Sequence, residues 1–108
     1  MKKSKVKELI KEAVEGGSTM TTDENGNKFW TLPNGKRHRE DGPAIEWSNG
    51  DKSWWVNNKR HREDGPAVKY IGKYKAWYIN GKRHREDGPA VEWDNGDKLW
   101  YFKGIRKS

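Results

Sequence analysis

The chain has 108 residues, of which 36% are charged and 31% apolar, with seven tryptophans, no cysteine and a formal net charge of +7. One domain is the expected size, disulfides and thiolate metal sites are excluded, and so little apolar material forbids a thick core. The tryptophans argue against a disordered chain, because each supplies a large buried area, so a thin, aromatic-cored domain is expected.

The first twenty residues differ from the rest. Val6, Leu9, Ile10, Ala13 and Val14 recur at helical spacing, and Gly16-Gly17 follows as a stop signal. Residues 1–20 are therefore expected to form an amphipathic α-helix and linker that caps the first hairpin of a second segment, 21–108. No apolar run reaches the ~20 residues that span a bilayer, and the basic start lacks the apolar stretch of a signal peptide. A soluble, cytoplasmic protein is the expectation.

After Thr22 the chain repeats. The string "KRHREDGPA" occurs at Lys36–Ala44, Lys59–Ala67 and Lys82–Ala90, and His38, His61 and His84 are spaced 23 residues apart. Trp54, Trp77 and Trp100 keep that period, as do Trp47, Tyr70 and Trp93. A fixed period shared by independent columns is the mark of a repeat array. The first unit has one residue more between Trp30 and Asn34, including Pro33, and the last unit ends in "LWYFKGIRKS" without the string.

Each unit reads as a β-hairpin. "AIEW" and "KSWWV" flank "SNGD", and "AVEW" and "KLWYF" flank "DNGD", which are short β-formers around turn residues. Pairing Trp47 with Lys52 places Ile45, Trp47, Trp54 and Val56 on a core face. Ala44, Glu46, Ser53 and Trp55 then share the other face, which carries an aromatic stripe of Trp55, Tyr78 and Tyr101.

Units reading "WYINGKRH", with Gly-rich turns at the 23-residue period, resemble MORN repeats. The fuller "NGKRHREDGPAVEW" is similar to a MORN-like variant of bacteriophage, bacterial and giant-virus proteins. The resemblance covers about Asn25 to Gly104. It departs from the family at His38-Arg39, where His-Gly is usual, and at Asn58, which stands at a turn glycine. It implies a mainly β, elongated antiparallel hairpin array. It also implies roles in protein scaffolding or phospholipid contact, with a phage host-directed inhibitor or adaptor as one such role.

The charged string admits three readings. As a metal ladder it fails, because equivalent histidines two strands apart lie roughly 10 Å from one another and zinc needs nitrogens at ~2.0–2.1 Å. As an active site it offers His38, Glu40 and Asp41 in three identical exposed copies, where catalysis needs one concave, asymmetric constellation. As a structural joint it explains more. Asp41-Gly42-Pro43 is turn chemistry in which Gly permits positive φ, and Arg39 and Glu40 can pair with Glu63 and Arg62 of the next unit. In that reading His38 donates to backbone and stacks on a neighbouring Trp. No catalytic residue, cofactor or metal ligand is expected.

Function is then expected on an outward face. The candidates are the stripe Trp55, Tyr78 and Tyr101, since Tyr and Trp are enriched at interface hot spots, and the cations Lys36, Arg37, Lys59, Arg60, Lys82 and Arg83. Their combined surface points to a non-enzymatic binding module for a protein partner. The alternative is an anion binder, in which the cations track phosphates and the rings stack on bases of a nucleic acid or nucleotide. The last strand, around Leu99–Phe102, is a candidate edge for a second copy of the chain.

Overall fold

The computed structural model describes residues 17–107, and the expected N-terminal helix lies outside them. The described residues hold fourteen short strands and no helix. β1 (Thr19–Thr22), β2 (Lys28–Thr31), β3 (Ile45–Glu46), β4 (Lys52–Ser53), β7 (Val68–Tyr70), β8 (Tyr74–Ala76), β11 (Val91–Trp93) and β12 (Lys98–Leu99) form one antiparallel sheet in chain order. Three further hairpins pair β5 (Trp55–Val56) with β6 (Lys59–Arg60), β9 (Tyr78–Ile79) with β10 (Lys82–Arg83), and β13 (Tyr101–Phe102) with β14 (Ile105–Arg106). A bridge between Thr31 and Arg37 holds the corresponding place in the first unit. The whole measures 54 × 26 × 18 Å.

Each unit thus contains two hairpins where the pattern predicted one. The expected strand "KSWWV" breaks at Trp54, whose N–H donates to the Ala67 carbonyl in the main sheet while its own carbonyl accepts from His61 in the small-hairpin row. Trp77 does the same with Ala90 and His84, and Trp30 with Ala44 and His38. A residue whose two backbone groups serve different ladders must sit at a corner, and the chain folds over on itself there. The small hairpins are joined in turn. Asn58, Gly81 and Gly104 donate to the carbonyls of Arg37, Arg60 and Arg83 at 2.7–2.8 Å.

The main-sheet register is one residue away from the expected one: Glu46, not Trp47, faces Lys52. Trp47 instead closes the turn, donating to Asp51 O while Gly50 N–H returns to Trp47 O, and Gly50 sits at φ 98°. That three-residue loop ending in a left-handed glycine fixes the register. The shift moves every pairing. Phe29, Ile45, Ser53, Val68, Ala76, Val91 and Leu99 become one cross-strand file on the inner face. The small hairpins cover it: Tyr78 and Tyr101 pack against Val68, Ala76 and Val91. The deepest residues are therefore Val and Ala, Trp30 is the one tryptophan buried among those described, and the remaining aromatics form a half-exposed shell. Trp47, expected in the core, is 36% exposed and meets Phe29 edge-on.

Candidate functional site

The repeated string builds a closed loop from its own side chains. Arg39 Nε donates to Asp41 at 3.0 Å, and its NH1 donates to the Pro43 carbonyl at 3.1 Å and to Glu46 at 3.4 Å. The guanidinium lies over the Trp30 ring with Cζ 3.9 Å from the centroid. Arg62 repeats this on Asp64, Pro66 O and Trp54, and Arg85 on Asp87, Pro89 O, Glu92 and Trp77. The expected pairing of Arg39 and Glu40 with Glu63 and Arg62 is replaced by these contacts inside each unit. Loop closure over two to seven residues brings the groups together without reaching across units.

The loop glycines also do something other than expected. Gly42, Gly65 and Gly88 are not among the residues with positive φ. A Cβ at Gly42 would stand 2.9 Å from the Arg39 guanidinium carbon, and Gly65 and Gly88 repeat that approach to Arg62 and Arg85. Glycine is required there for room above the cation, not for a left-handed turn.

The histidines link successive units. His38 Nδ1 accepts from the Asn57 N–H at 3.0 Å, and His61 and His84 accept from Asn80 and Lys103 at 2.9 Å. A nitrogen accepting from a backbone N–H carries no proton, so the neutral ring holds its proton on Nε2. That nitrogen faces Glu40 at 3.2 Å, Glu63 at 3.2 Å and Glu86 at 3.6 Å in the three copies. The ring accepts from backbone where it was expected to donate, and His84 meets Phe102, not a Trp, with centroids 4.7 Å apart and planes tilted by 49°. Among the described residues no group of three or more His, Asp or Glu side chains is placed to hold a metal ion.

The predicted binding residues converge on the small-hairpin row. Arginines and aromatic rings alternate along it: Arg37 over Trp55 at 5.4 Å, Arg60 over Trp55 at 5.2 Å and over Tyr78 at 5.4 Å, Arg83 over Tyr101 at 5.2 Å. Arg83 also donates to the hydroxyls of Tyr78 at 3.4 Å and Tyr101 at 3.1 Å, and the Tyr78 oxygen raises the arginine's affinity for its proton. Arg60 Nε is buried with no acceptor. Trp55 stands where the other units have tyrosine and gives its indole N–H to Ser53 at 2.8 Å. Trp55, Tyr78 and Tyr101 are half-buried in this ladder, while Lys36, Arg37, Lys59 and Lys82 are exposed beside it. A shallow groove of about 490 Å³ gathers Trp55, Lys59, Arg60, Tyr78 and Lys82, with Asn58, Asn80 and Gly81.

One surface had escaped sequence reasoning. The outer face of the main sheet carries the file Lys28, Glu46, Lys52, Lys69, Lys75, Glu92 and Lys98, one residue per strand. Three lysines, Lys52, Lys69 and Lys75, are adjacent because Lys69 occupies the position held by Glu46 and Glu92 in the neighbouring units. The signal was present in the 23-residue recurrence of Lys52, Lys75 and Lys98. Between successive strings lie two clefts of about 650 and 770 Å³, lined by Glu40, Asp41, Glu63 and Asp64 in one and by Glu63, Asp64, Glu86 and Asp87 in the other. Neither gathers an acid, a base and a nucleophile in one enclosed constellation.

Comparison with family models, curated proteins and solved structures returned no match. Among the described residues no helix is long and apolar enough to cross a membrane.

Proposed function

We propose that the chain is a non-enzymatic, MORN-like repeat module that binds a protein partner through the small-hairpin row. The observation that carries this reading is the groove where Trp55 and Tyr78 lie beside the exposed Lys59 and Lys82. Half-buried rings held by flanking arginines present contact area at little entropic cost, which is how interface anchors work. Within the string, Arg39, Arg62 and Arg85 and the three histidines are held by contacts inside the array, which leaves the lysines free for a partner.

The test is capture of a defined protein from nuclease-treated lysate by immobilised chain, compared with Lys59→Glu/Lys82→Glu. The side chains of these two lysines are exposed and take part in none of the row's side-chain hydrogen bonds or ring contacts, so the fold should survive their reversal. Capture that persists through nuclease and high salt and is lost in the double variant supports the reading. Capture unchanged by the double variant would sink it.

The exposed cations beside rings, with the lysine file on the opposite face, favour a second reading as an anion binder for nucleic acid or nucleotide. That reading requires binding to weaken steeply with salt.

A further inference from the structure

The three copies of the string's arginine are held alike, but the acid that two of them meet seven residues on is a lysine in the third. Arg39 NH1 donates to Glu46 at 3.4 Å and Arg85 NH1 to Glu92 at 3.1 Å. Arg62 is fixed in the same way, with Nε on Asp64, NH1 on the Pro66 carbonyl at 3.0 Å and Cζ 4.0 Å from the Trp54 centroid. The residue equivalent to Glu46 and Glu92 is here Lys69. It pairs with Lys52 on one side and Lys75 on the other, and all three are exposed. With strands ~4.8 Å apart, the three positions span about 10 Å. Like charges set directly opposite one another are destabilising, so this cluster calls for an anion.

We infer that Arg62, Lys52, Lys69 and Lys75 form a binding site for the dianionic group of a phosphate monoester, free or borne on a side chain. Glu46 and Glu92 mark where the ligand's oxygen goes, which is the NH1 edge of the guanidinium. An acid already seated on Nε is no obstacle, because Asp41 and Asp87 hold that nitrogen in the same two units. One carboxylate would balance one of four cations. A phosphate monoester brings nearly two charges and three strong acceptor oxygens, enough to engage the guanidinium and the lysines together. The ligand must be compact. Glu46 pairs with Lys52 and Glu92 with Lys75, so a nucleic-acid backbone, charged along its length, would run onto a carboxylate in either direction. The site lies on the sheet face away from the small-hairpin row, and Lys59 and Lys82 take no part in it. It therefore stands or falls apart from the protein-binding groove.

The probe is methyl phosphate, titrated into the full chain at low ionic strength and followed by heteronuclear NMR. The expected result is saturable shifts of the Arg62 Nε–H and of the Lys52, Lys69 and Lys75 amides. Acetate and dimethyl phosphate, each a monoanion, should bind roughly tenfold more weakly. Lys69→Glu supplies the acid from within and should also weaken methyl phosphate about tenfold; a melting temperature at or above the parent's shows that the fold is intact. A folded Glu92→Lys variant should gain a second set of shifts around Arg85, and Lys59→Glu/Lys82→Glu should bind as the parent does. Capped phosphoserine binding more tightly than methyl phosphate assigns the group to a modified side chain, and equal binding assigns it to a small free monoester. The inference is overturned if methyl phosphate gives no saturable shifts at millimolar concentration, or if Lys69→Glu binds it as tightly as the parent. Equal binding of acetate or dimethyl phosphate, silence of Arg85 in Glu92→Lys, or shifts centred on Lys59 and Lys82 would overturn it as well.

Discussion

Replacing Gly65 by alanine sets two explanations of the string's glycine against each other. Gly65 has no positive φ. If only the backbone mattered, Gly65→Ala would stabilise the protein by about 0.4–1 kcal/mol, by restricting the unfolded chain. The geometry reverses the sign. The new Cβ would stand 2.9 Å from Arg62 Cζ and 3.1 Å from its Nε and NH1. The guanidinium carbon is packed 4.0 Å from the Trp54 ring centroid. Displacing it to admit the Cβ would forfeit the stack, worth about 0.5–2 kcal/mol, and the bond to Pro66 O, worth about 1 kcal/mol. The Asp64 pair adds little, since that carboxylate is 88% exposed. The expected net cost is about 2 kcal/mol, a fall in melting temperature of roughly 8–16 °C. Thermal and urea denaturation followed by tryptophan fluorescence would measure it. In an Arg62→Ala background the same substitution should be neutral or stabilising. A single Gly65→Ala variant as stable as the parent, or more so, would refute the steric account.

Lys69→Glu should stabilise the protein by about 0.5–1 kcal/mol, because it relieves the adjacent lysines 52, 69 and 75 and gives Arg62 the acid that Arg39 and Arg85 already have; the gain should shrink as salt is raised in a urea titration. The paired change Ser53→Ala/Trp55→Tyr copies the chemistry of Ala76 and Tyr78 and offers buried Arg60 Nε a hydroxyl, so it should gain about 1 kcal/mol in the same assay, whereas Trp55→Tyr alone should gain less because the Ser53 hydroxyl loses its partner. Burial raises the Tyr74 hydroxyl above its ordinary pKa of 10.0, with Tyr70 adding to the shift. Its stabilising contribution is therefore complete below that value and lost as pH climbs through the folded one. Phenolate absorbance should contain a late-titrating component, and Tyr74→Phe should remove it and flatten the alkaline loss of stability.

What could be seen in the sequence was whatever depends on period. The repeat, its antiparallel hairpins and the role of the string as a joint follow from columns such as His38, His61 and His84, because identical contacts recur wherever identical letters do. The register was not legible. It hinges on Gly50 adopting a left-handed conformation that closes a three-residue loop from Trp47, and the tetrapeptide "SNGD" is equally compatible with a tighter turn. The corner at Trp54 was hidden for a related reason: a strand-like run gives no sign that its central residue feeds two ladders. Of the site, the nine candidate residues do share one row, yet alternation of faces could not foretell that Arg60 and Arg83 would slot between the rings. Each arginine bridges the ring of its own hairpin and the ring of the next unit, and that reach between units is decided by three-dimensional stacking.

The corner tryptophans have a mechanical corollary. Since one residue serves both ladders, a pulling force that strips a small hairpin away loads the same residue's bond to the broad sheet directly. Rupture should then release whole 23-residue lengths, each of roughly 76–83 Å when fully extended. The protein would then behave as a ratcheted ribbon, paying out slack in equal steps.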